Sequence, residues 1–248
     1  MGELTLGRVL LYAVIAGLAA GLLVAGFHMI VTEQVIDQAV ALEEQAAPAP
    51  AHDSAAHEKP IVSRDFQKTG GLLIGYLFYG LTCALFFSLA FYPLQGWLMR
   101  FGAWRGPLLL AMLTFWAVVL VPFLKYPANP PAVGDPATID YRQNLYLTLL
   151  LLSIAGTALA VWFGKRLALE WKAPAWLVTG GLLIVVGMGL VLLLPSNPDS
   201  ITAPLELVFN FRVRALLGLT LFWGMFGGCF AWLVRRSVGR KVMTAVPT

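Results

Sequence analysis

Six long apolar runs, at residues 9–31, 71–92, 107–124, 145–163, 175–194 and 215–234, alternate with polar segments along the chain. Each approaches the roughly 20 residues that a helix needs to cross the hydrocarbon core of a bilayer. None shows the two-residue alternation of a barrel strand, and in lipid a backbone amide must find its partner inside its own segment. All six runs therefore predict helices, and the expected fold class is all-α: a polytopic membrane helical bundle of about six transmembrane helices. The first run follows Arg8, as a secretory signal would, with small residues from Ala39 to Ala41 for a cleavage site. At 23 residues it exceeds the roughly 7–15 residue apolar core of a signal, so it reads as a retained span.

The longest polar stretch, residues 32–69, separates the first two runs. Glu33, Asp37 and Glu44 fit a helical continuation of the first span. The centre, AAPAPAHDSAAHEKP over residues 46–60, has too little apolar surface to build a core and is expected to be mobile. The organisation expected is one integral membrane domain over residues 1–248, with 32–69 as an extramembrane loop. Two short patterns recur. Pro127-Ala-Asn129-Pro130 follows the third run and Pro195-Ser-Asn197-Pro198 the fifth, and each leads through a basic residue, Arg142 or Arg212, into the next run. Gly70-Gly71-Leu-Leu-Ile in the second run returns as Gly180-Gly181-Leu-Leu-Ile in the fifth, which suits an inverted three-plus-three repeat. The two recurrences imply different symmetries.

Composition agrees with the pattern. Of 248 residues 59% are hydrophobic and 12% charged, and the mean hydropathy is +0.78. A soluble domain carries about a quarter charged residues, so contact with the lipid bilayer must replace the missing charge. Nucleic acid is not expected as a partner, because no basic run is longer than the pair Arg235 and Arg236. Cys83 and Cys229 both sit inside apolar runs and form no CxxC pattern, so they read as packing residues. The loops on the N-terminal side hold 10 Lys and Arg against two acids, Glu3 and Glu170, and those on the opposite side hold 7 against 11. The positive-inside rule then predicts both termini in the cytoplasm and the loop at 32–69 outside.

Candidate chemistry gathers at the predicted outer side. Ala13, Gly17, Gly21 and Ala25 recur every four residues, a ridge that lets helices approach closely. At 100° per residue His28 falls on the same face, toward protein. An ionisable group there is either a nitrogen ligand for a divalent metal or a histidine hydrogen-bonded at a helix end. In the outer loop His52-Asp53 and His57-Glu58 pair imidazole with carboxylate, ligands that Co²⁺, Ni²⁺ and Zn²⁺ accept. A solvated, charge-balanced linker has the same composition. The stretch KYPANPPAVGDP, residues 125–136, is more distinctive. Its prolines donate nothing, so carbonyls and the side-chain oxygens of Asn129 and Asp135 form an acceptor-rich surface suited to a cation. Asp135 and Pro136 also make a cap and first turn for the next helix.

That stretch, followed by Thr138-Ile139 and Arg142, within six spans and a long loop after the first, resembles the CbtA family of probable cobalt transporter subunits of bacterial inner membranes. The resemblance implies cobalt uptake serving cobalamin synthesis, with cobalt as transported ion rather than resident cofactor. It also implies a companion, a CbtB-like subunit with a single span and a histidine-rich terminus. The family is usually drawn with five spans, where this sequence reads as six. No GxxxxGK[ST], HExxH or GxSxG occurs, and runs two to six contain no Asp, Glu, Lys, Arg or His, which leaves an enzyme or an ion-pair proton relay without support. Two other classes remain. Lys125, Arg142, Arg212 and Arg214 can form the mouth of a permease for an anionic substrate, or snorkel to headgroups. A non-transporting membrane assembly or scaffold protein would use the glycine ridge for partner helices.

Overall fold

The computed structural model describes residues 4–46, 62–131, 133–201 and 203–244. Among these, every regular element is helical and no strand occurs. Six helices are long and apolar enough to span a membrane: α1 Leu6–Gln45, α2 Arg64–Phe101, α3 Arg105–Lys125, α4 Pro136–Glu170, α5 Ala175–Leu193 and α6 Leu205–Gly239. The chain is thus an all-α, multi-pass membrane protein, with six candidate spans among the described residues. Several helices outrun their apolar runs. The described ends of the polar stretch 32–69 are helical too, the first continuing α1 through Glu33, Asp37 and Glu44 as the sequence predicts. Residues 47–61 lie outside the described part.

Contacts divide the chain into two compact units. The first contains α1, α2, α3 through Ala111, and α6; the second contains α3 from Met112, α4, α5 and the loops at 125–129, 133–135 and 194–201. In the first unit the glycine ridge of α1 packs on α2. Lipid tails are as apolar as the side chains, so helices associate through close packing more than through burial. Gly17 and Gly80 meet backbone to backbone, each where a Cβ would strike the carbonyl of the other, and Gly21 faces the Tyr76 carbonyl one turn along. Phe87 and Phe91 of α2 meet Phe226 and Phe230 of α6 edge to face, with centroids 4.9 to 5.1 Å apart, a favourable arrangement of ring quadrupoles. The Gln95 amide takes the chain's start in a paired bond, accepting from Leu4 N at 2.9 Å and donating to Leu4 O at 3.2 Å.

Both α1 and α2 contain a π-helical segment, His28–Thr32 and Gln67–Gly71. Each inserts extra backbone and would rotate the following faces if it stood alone. The two lie at one level of the antiparallel pair. Gly17 faces Gly80, and sixteen residues on along α1 and sixteen back along α2, Glu33 still faces Arg64 at 2.6 Å. Matched segments therefore preserve the register. Beyond them Arg64 and Lys68 clamp Asp37 at 3.2 and 2.8 Å, joining the two polar extensions.

In the second unit α4 and α5 pack at small residues, Gly156 against Val186 and Gly164 against Thr179, while Gly187 of α5 receives the Trp116 ring from a third π segment, Trp116–Leu120.

Candidate functional site

In the second unit α3 stops at Lys125 because Tyr126 turns to φ −126° and proline follows. α5 likewise stops before Pro195. The two recurrent Pro-x-Asn-Pro segments are brought together here: the Tyr126 hydroxyl donates to the Pro195 carbonyl at 2.7 Å. Between them and the first turns of α4 lies a cavity of about 410 Å³, walled on its polar part by Tyr126, Asn129, Arg142, Gln143, Tyr146 and Asn197. Desolvation, with the neighbouring Tyr141 second, pushes the Tyr126 phenol above its ordinary pKa, so it stays a neutral hydroxyl. Asn129 thus sits on a cavity wall.

Asp135, its partner in the sequence reading, does not line the cavity. Its carboxylate accepts from Ala137 N at 2.8 Å and caps the Pro136–Thr138 turn from which α4 grows, so the helix-start reading holds for this side chain.

A residue that the sequence reading passed over organises the loop. The Asp199 side chain, 5% exposed, takes Arg142 Nε at 3.0 Å, the Thr138 hydroxyl at 2.7 Å and the Asp135 amide at 3.0 Å. Arg142 also donates to the Asp135 carbonyl at 3.2 Å. Gly134 passes this hub at φ +117°, and a Cβ there would meet the Arg142 guanidinium at 2.6 Å and the Asp199 carboxylate at 2.8 Å. The available signal was Asn197-Pro198-Asp199, a turn in which Asn197 Oδ1 accepts from Asp199 N at 3.1 Å.

His28 belongs to the first unit. Its ring stacks on Tyr76 of α2, with centroids 5.1 Å apart and planes 10° from parallel, and Phe27 meets it edge-on. Nδ1 bonds the Thr32 hydroxyl at 2.7 Å, and Nε2 abuts Gly218 of α6 so closely that a Cβ would land on it. The ridge geometry is as expected, with the imidazole turned toward protein. One turn from Gly218, Arg214 donates to the Val31 carbonyl inside the π segment at 2.5 Å. His52, Asp53, His57 and Glu58 lie outside the described residues. Among the described residues no three His, Cys, Asp or Glu side chains cluster to hold a metal ion.

The family model described as "Probable cobalt transporter subunit (CbtA)" matches residues 6–235, nearly the whole chain. Neither the curated proteins nor the solved structures contain a match to it.

Proposed function

The chain belongs to the CbtA family of probable cobalt transporter subunits, and we propose that it carries Co²⁺ inward across the bacterial inner membrane, with both termini cytoplasmic and the cavity of the second unit facing outside. The family description already calls the protein a subunit; a single-span, histidine-rich CbtB-like companion and delivery to cobalamin synthesis complete the proposal. The observation that carries it is the cavity itself. Irregular backbone at the end of a span is tolerated where it lines a water-filled space. Here that backbone carries uncharged amide and phenol side chains along the lining, groups able to accept from the water shell of a small divalent ion. Such contacts are weak enough to release the ion, as transport requires.

The chain contains no P-loop, so the proposal leaves any nucleotide-driven step to another subunit. Accumulation of radioactive Co²⁺ tests the reading: cells expressing the full chain together with its single-span companion should exceed matched cells expressing the companion alone at limiting Co²⁺, and equal accumulation overturns it. Orientation is tested separately by labelling Ala51→Cys with an impermeant maleimide in intact cells. Labelling supports an external loop, whereas labelling only after lysis reverses the assignment.

A further inference from the structure

Arg142 is the one charged side chain among the described residues lining the cavity. A guanidinium does not deprotonate in proteins, so by itself it would repel a divalent cation and welcome an anion. Asp199 changes that balance. It is not among the residues that line the cavity, and its side chain is 5% exposed while Arg142 keeps 27% exposed. The same carboxylate ties down the loop through Thr138 and the Asp135 amide, and Gly134 leaves room for the ion pair. The other polar residues lining the space, Tyr126, Asn129, Gln143, Tyr146 and Asn197, are uncharged amides and phenols. A volume of about 410 Å³ holds an ion with six waters, each taking about 30 Å³.

We infer that this cavity is a binding site for a hydrated divalent cation, and that Asp199 is its positioning residue, holding Arg142 and cancelling its charge so that the site admits a cation rather than an anion. The inference rests on the transport reading and adds to it the source of the cavity's charge selectivity. The ion keeps its first water shell, whose hydrogens donate to the amide and phenol oxygens. Asp199 touches no ion; it acts through Arg142.

The test measures Co²⁺ uptake against Co²⁺ concentration in cells expressing the single-span companion with the full chain, Asp199→Asn, or the double variant Arg142→Gln with Asp199→Asn, at matched membrane abundance. Asn keeps one oxygen for the Asp135 amide and Arg142 Nε and turns its NH₂ to the Thr138 hydroxyl, which can accept, but leaves Arg142 uncompensated. A bare unit charge about 6 Å from a divalent ion raises the half-saturating concentration about tenfold even at the dielectric of water. Asp199→Asn should therefore show about a tenfold increase, smaller at high ionic strength. The double variant, neutral again, should return to within about threefold of the parent. An unchanged or lower half-saturating concentration in Asp199→Asn overturns the inference. So does an equal loss in both variants, which makes the carboxylate a structural tie only. A parent chain that takes up no Co²⁺ at all overturns the transport reading, and the site with it; the other two failures leave that reading standing.

Discussion

Gly80→Ala should destabilise the protein where Gly75→Ala, one and a half turns away on the same helix, should not. At Gly80 an added methyl would strike the carbonyl oxygen of Gly17, with its carbon 2.8 Å away and Cα 3.4 Å away. All three are backbone atoms, so no side chain can swing aside; α1 and α2 must part by about 1 Å. Overpacking of this kind costs about 1–3 kcal/mol, and the upper half of that range applies where backbone meets backbone. At Gly75 nothing lies within 4 Å. Both substitutions gain the same ~1 kcal/mol of helix propensity, so it cancels in the comparison. The expected gap between the variants is about 2–3 kcal/mol, or 30- to 150-fold in the folding equilibrium. Unfolding the purified full chain in mild detergent by titrated SDS measures that gap. Equal stabilities would show that the Gly17–Gly80 contact is not as close as described, and the register argument built on it would fail.

His28→Gln should lower stability by about 1–2 kcal/mol, since it loses the stack on Tyr76 and weakens the bond to Thr32, while Co²⁺ uptake at matched abundance stays near the parent. A large uptake loss without loss of stability would instead make the imidazole a ligand on the ion's path. His52→Gln combined with His57→Gln should slow uptake only at limiting Co²⁺, because a loop can raise local concentration but does not form the path; loss at saturating Co²⁺ contradicts this. Asp135→Ala should cost about 1 kcal/mol through the lost cap and Asp135→Asn close to nothing, as Asn caps about as well. Reduced transport by Asp135→Asn at unchanged stability would assign the carboxylate a direct role.

Features set by local periodicity were legible in the sequence. The six spans follow from length and apolarity, the direction of His28 from the 100° step shared with Gly17 and Gly21, and the start of α4 from Asp135-Pro136. The π segments were not legible, because the i→i+5 bonding at His28–Thr32 and Gln67–Gly71 follows no local residue pattern. Gly80 was passed over for the same reason: its role depends on where Gly17 arrives. The recurrence of Pro-x-Asn-Pro marked both walls of the cavity, yet nothing in the sequence states that the segments meet. Asp199 was invisible because it stands 57 residues from Arg142, and only the fold makes the two an ion pair.

The initial rate of Co²⁺ influx in Asn129→Leu, compared with the parent at limiting Co²⁺ and matched abundance, tests the central claim most directly. Leucine keeps the volume and removes the amide. The amide accepts from a water of the ion's shell, a hydrogen bond worth about 0.5–1.5 kcal/mol, so its loss should reduce the rate about two- to tenfold. Influx equal to the parent would contradict the claim that Co²⁺ passes through this cavity.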